Sequence, residues 1–165
     1  MNGKLMSRRR VARMLAVVPA VAAAVAVAPA AAQAACTSPT FSVYPGSGIS
    51  NVRYGQVDFH FTACSNQAPS AWAASVGTAQ VNSTGKNLGF FIDGVSIPTD
   101  SIGSSTRYWT GKIAASTCTP RVGFPCSRSY SMTVKFSASL DRFGNPQIYM
   151  GTRSAPTGMA LFTTP

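Results

Sequence analysis

The chain has 165 residues, with 14 basic and four acidic side chains and a formal net charge of +10. Five of the fourteen basic residues crowd the first thirteen positions and the other nine are scattered, whereas a phosphate-binding face shows a clustered stripe. Composition therefore argues against nucleic acid as a partner, and the absence of Glu leaves only four Asp for any carboxylate chemistry.

The first element is a leader. Lys4, Arg8, Arg9, Arg10 and Arg13 precede the uncharged run "LAVVPAVAAAVAVAPAAAQAA", which ends in the small-x-small pattern Ala32-Gln33-Ala34. These are the parts of a signal peptide, so residues 1–34 are expected to be removed. Pro19, Pro29 and the cleavage pattern speak against a retained anchor, and Gln33 speaks against a lipoprotein cut at Cys36. "SRRRVAR" resembles the twin-arginine export pattern, which stays open beside the general secretory route. The mature domain, residues 35–165, keeps nine basic and four acidic residues, a net charge of +5. It is expected to pass the periplasm to the exterior or the cell surface, without a membrane span.

Turn-rich segments divide the mature chain into short strands. "FSVY" is followed by "QVDFHFTAC", where Val57, Phe59, Phe61 and Ala63 alternate with Asp58, His60 and Thr62. Such period-two alternation marks a strand with one buried face. "SAWAASV" reads as a strand or one helical turn. "NLGFFIDGVSIP" holds Asp93-Gly94 between apolar runs, a hairpin signal. "PTDSIGSS" reads as a loop, and "RYWTGKIAAS" as a strand. In "SYSMTVKFSASL", Tyr130, Met132, Val134, Phe136, Ala138 and Leu140 share a face. "PQIYMG" and "GMALFTT" close the series. Seven or eight strands in one domain predict an all-β protein, a β-sandwich, with a small barrel as the alternative.

Cys36, Cys64, Cys118 and Cys126 all lie in the mature chain, and an even count in an exported protein implies disulfides. Cys36–Cys64 and Cys118–Cys126 avoid crossed or nested long links. The chain-entropy relation assigns them about 3.6 and about 2.6 kcal/mol. No CxxC motif occurs and the lone His is remote in sequence, so a metal site is not expected. The second bridge would staple "CTPRVGFPC" across its mouth and hold strand register. Arg121 and Phe124 would then stand at a constrained tip, either as a binding element or with Phe124 folded back. Tyr108 or Trp109 would suit a sugar-stacking groove. Asn82-Ser83-Thr84 fits the glycosylation sequon.

Catalytic signals are sparse. His60 shares a strand face with Asp58 and serines abound, but there is no G-x-S-x-G elbow and no Gly-rich phosphate loop opening a helix. His60 reads as a solvated strand residue, and neither enzyme activity nor a cofactor is expected.

In order and spacing, "ACTSP", "GQVDFHFTAC", "GFFIDGVSI" and "YSMTVKFSASL" resemble the immunoglobulin-like subunits of chaperone–usher fimbriae. These comprise the pilins and the lectin domains of tip adhesins. A cysteine this near the mature start resembles the adhesin domains more. The resemblance implies a bridge from the early cysteine to the end of the next long strand, a surface location, a glycan or protein ligand, and self-assembly. No binding residue carries over. The expected function is a secreted, non-enzymatic adhesin-like or pilin-like module. The alternatives are a protease inhibitor presenting the Cys118–Cys126 loop and a small secreted hydrolase.

Overall fold

The computed structural model describes residues 34–120 and 124–163; positions 1–33, 121–123 and 164–165 lie outside it. Eleven strand segments occur among the described residues: β1 (Cys36–Thr37), β2 (Thr40–Ser47), β3 (Val52–Arg53), β4 (Gly55–Cys64), β5 (Ala73–Val81), β6 (Phe90–Ser96), β7 (Thr99–Ile102), β8 (Thr106–Cys118), β9 (Cys126–Leu140), β10 (Pro146–Ser154) and β11 (Met159–Thr163). A 3-10 turn, Pro69–Ala71, and one short helix, α1 (Ser83–Asn87), complete them.

The segments align into eight strand lines. Cys36 opposes Cys64 and Thr40 opposes His60 in one unbroken register, so β1 and β2 form one line along β4, interrupted at Ser38-Pro39. Proline lacks the N–H a ladder needs, which accounts for the gap. β6 and β7 likewise share an edge of β8, interrupted at Ile97-Pro98. The first sheet runs β5–β4–β2–β11, with β3 leading into β4; the second runs β10–β9–β8–β6. All pairings are antiparallel. Neighbours within a sheet follow one another along the chain, except that β11 returns to lie beside β2. The fold is thus the expected β-sandwich.

The alternating faces meet as read. Val57, Phe59, Phe61 and Ala63 of β4 are buried against Met132, Val134, Phe136 and Ala138 of β9. Phe136 is central: Phe61, Phe59 and Phe41 lie 4.7, 5.2 and 5.7 Å from it, centroid to centroid. Offset and edge contacts of this kind add about 1 kcal/mol each to the area buried. Gly111 faces inward on β8, where a Cβ would lie 2.7 Å from the Phe59 ring. The missing side chain is what lets that ring in.

Both disulfides form as expected, Cys36–Cys64 and Cys118–Cys126. Each joins directly opposed residues of adjacent strands, β1 with β4 and β8 with β9. They clamp strand pairs within a sheet, and the second closes the longest ladder in the molecule, Thr106–Cys118 against Cys126–Leu140.

Two local expectations are corrected and an open one is resolved. Asp93-Gly94 is not a hairpin turn: β6 runs through it, with a bulge at Asp93 between the pairs Ile92–Ala115 and Gly94–Ala114. The Asp93 carboxylate accepts a hydrogen bond from Ser116 Oγ at 2.9 Å. "PTDSIGSS" is not all loop, because Thr99–Ile102 forms β7, bulged at Asp100, whose carboxylate accepts from Thr110 Oγ1. A bulge leaves one residue unpaired and re-aims its side chain; here each bulge turns an Asp onto a β8 hydroxyl. "SAWAASV" divides, with the 3-10 turn first and β5 after buried Trp72.

Candidate functional site

The polar pair singled out as a catalytic prospect does not assemble. His60 and Thr40 are register partners, and the Thr40 hydroxyl lies 2.7 Å from His60 Nδ1. The imidazole lies over Gly77, where a Cβ would fall 2.1 Å from Nε2. Asp58 is engaged elsewhere: Oδ1 accepts from Ser42 Oγ at 2.7 Å and from Gln56 Nε2 at 2.8 Å. The Thr40 and Ser42 contacts cross from β2 to β4 and the Gln56 contact runs along β4, all on the outer face of the first sheet. Among the described residues, no group of three His, Cys, Asp or Glu side chains gathers as metal ligands.

The expected binding residues separate. Arg121 lies outside the described residues. Phe124 does not fold back; it is 77% exposed. Trp109 and Tyr108 point to opposite sides of β8. Trp109 is 1% exposed and its ring packs edge-on against Phe61 at 5.3 Å in the core, while the residue also borders the groove beside Tyr108. Tyr108 is 44% exposed on the outer face.

That face carries more than Tyr108. Tyr149 and Tyr108 both pair with Ser137, one from each side, and Ser101 continues the row on β7. Tyr149 is 55% exposed. Adjacent strands lie about 4.8 Å apart, so the two phenol side chains rise from points about 10 Å apart across a serine. Along β8 and β9 the next outward pair is Thr110–Lys135, with the Asp100 carboxylate on Thr110. Asp100, Ser101, Tyr108 and Lys135 line a shallow open groove. Beyond it, Gly94, Ser96, Lys112, Ala114 and Ser131 leave a second shallow depression on the same face, because their side chains are mostly small. Phe143 and Ile102 are exposed at the near end of the sheet. The alternation of "PQIYMG" around half-buried Ile148 and Met150 is the signal that sets Tyr149 outward.

The platform is braced from behind. Arg107 Nη1 donates to the carbonyl oxygens of Pro69 at 3.2 Å, Ser70 at 2.8 Å and Trp72, and Nη2 donates to Thr99 Oγ1 at 2.9 Å. Its guanidinium also lies 5.3 Å from the Trp109 ring centre. One side chain thereby ties β8, β7 and the 3-10 turn together. At the β9–β10 turn Asp141 Oδ1 accepts from the backbone N–H of Phe143 at 2.8 Å and of Asn145 at 2.9 Å. Those bonds, the one from Asn145 foremost, hold its carboxyl below the ordinary carboxylate range.

The sequon asparagine is committed to structure. Asn82 caps α1, its Oδ1 accepting from Gly85 N–H at 2.8 Å, while Nδ2 donates to the Arg53 carbonyl at 2.8 Å.

Compared with family models, with curated proteins and with solved structures, the chain matches none.

Proposed function

We propose that the protein is an exported, non-catalytic binding module that presents the outer face of its second sheet to a glycan. The observation that carries this reading is the Tyr108–Ser137–Tyr149 row beside Asp100 and Lys135. Half-exposed tyrosines offer an apolar ring face and a polar tip, which suits a pyranose with its C–H face and rim of hydroxyls. The carboxylate, the ammonium and the serines supply directional partners for those hydroxyls. The β8–β9–β10 ladder, braced by Arg107 beside Tyr108, holds the rings in place, and preorganisation lowers the entropic cost of binding.

Export rests on the leader and on two disulfides, which persist in oxidising compartments. Mass spectrometry of the protein recovered outside the cytoplasm is expected to find Ala35 at the N-terminus and both bridges intact. The resemblance to fimbrial adhesin domains points the same way, toward a surface ligand. The test of the binding reading is a glycan array followed by calorimetry on any hit. Loss of at least tenfold in affinity in Tyr108→Ala and in Tyr149→Ala is expected, about 1.4 kcal/mol each.

Phe124 favours a second reading, a protease inhibitor, because it stands exposed beside the Cys118–Cys126 clamp. Titration of trypsin- and chymotrypsin-like proteases decides it: stoichiometric inhibition supports it, and none at micromolar protein ends it.

A further inference from the structure

The large exposed hydrophobic side chains fall into two groups. Tyr108, Tyr149, Ile102 and Phe143 surround the row just described. Ile49, Leu88 and Phe124 lie at the opposite end of the sandwich, 87, 54 and 77% exposed. Strand register places these three together. β2 and β3 close at Ser47–Val52, just below Ile49. β5 ends at Val81, opposite Gly55, and leads through α1 to Leu88. β8 and β9 end at the Cys118–Cys126 pair, beside Phe124. The three segments brace one another: Asn82 Nδ2 donates to the Arg53 carbonyl, and Cys118 N–H donates to the Gly89 carbonyl at 2.7 Å.

Charge at this end is one-sided. Lys86 and Arg128 lie on or beside these segments, whereas the Arg53 guanidinium is turned onto the Tyr44 ring at 4.5 Å and donates to the Thr163 carbonyl at 3.4 Å. None of the four Asp lies on or beside them: Asp58 and Asp93 lie along the sheets, and Asp100 and Asp141 belong to the other end. Asp93, the nearest, is engaged by Ser116.

We propose that this end docks on an anionic lipid surface, with Ile49, Leu88 and Phe124 entering the headgroup–acyl boundary and Lys86 and Arg128 meeting lipid phosphates. Apolar side chains that enter the interface, ringed by cations, are the general requirement for peripheral attachment to anionic membranes. The three apolar residues stand on separate loop or helix ends and line no groove. A rigid protein partner would need a matching pit for each, whereas a fluid interface moulds around them. Docked this way, the sandwich holds its tyrosine row at the end away from the bilayer.

The test is co-sedimentation of the disulfide-bonded unit Gln33–Pro165 with vesicles of phosphatidylcholine alone or with a quarter phosphatidylglycerol. Partition onto the anionic vesicles is expected to exceed that onto neutral ones at least tenfold and to fall as salt rises. The pair Ile49→Ser and Phe124→Ser is expected to lower it at least tenfold, and Lys86→Glu with Arg128→Glu to abolish the anionic preference. All four positions are exposed, so thermal midpoints should stay near the parent's. Equal binding to neutral and anionic vesicles, no partition at low salt, or full partition of the Ile49/Phe124 variant would each overturn the proposal. So would a dimer in sedimentation velocity that the same pair abolishes, since it would assign the surface to a second copy of the chain.

Discussion

Asp141 shows how much one side chain organises. Its carboxylate collects the amides of Phe143 and Asn145, and the ionised form is therefore favoured in the folded protein. A carboxyl whose folded value lies below its unfolded value, near 3.9, stabilises fully above that value and loses the effect as pH falls through the lowered one. Protection of the Phe143 and Asn145 amides, relative to their intrinsic exchange at each pH, should thus persist from neutrality into the acid range and fall only in strong acid, whereas Asp141→Asn should flatten that dependence. Gly111 makes the opposite point, a residue defined by what it lacks. Gly111→Val would force the Phe59 ring out of place and is expected to cost about 1–3 kcal/mol in denaturant unfolding. At this scale the sequence was partly legible. The alternation in β4 and β9 identified the buried residues because large apolar side chains fell on every second position. On β8 the same alternation was diluted by Gly111 and Ala115, so it did not decide which of Tyr108 and Trp109 faces the core.

Elements were legible wherever their signal was periodic and opaque wherever it was punctual. Asp-Gly is a strong hairpin signal, yet a strand bulge uses the same two residues. The bulge won because Asp93 gained the Ser116 hydroxyl and β6 could run on along the edge of β8 from Thr117 to Lys112. "PTDSIGSS" looked like loop because β7 is four exposed residues long and buries no side chain that would betray it. The disulfides were readable from count and compartment, because only one pairing avoids crossed or nested links. Their consequence belongs to this scale. Replacing Cys118 and Cys126 by Ser should lower unfolding free energy by up to about 2.6 kcal/mol. It should also raise amide exchange first at the ladder's closed end, around Thr117 and Arg128. Uniform exchange along β8 and β9 in that variant would contradict the assigned role of the staple.

The whole molecule is a braced sandwich whose exposed hydrophobic side chains divide into a tyrosine face and a three-pronged end. Fold class followed from strand count and turn chemistry. The division did not, because it depends on which strands become neighbours: Tyr108 and Tyr149 are 41 positions apart in the chain and meet only across β9. The central claim is that this tyrosine face binds a glycan. Its most direct measurement is titration calorimetry of the best glycan-array ligand against the parent, Tyr108→Ala, Tyr149→Ala and His60→Gln. The account predicts a loss of at least tenfold for each tyrosine variant and unchanged affinity for His60→Gln, with all four proteins folded and disulfide-bonded. Parent-like affinity in both tyrosine variants, or no glycan bound at any concentration, would contradict it.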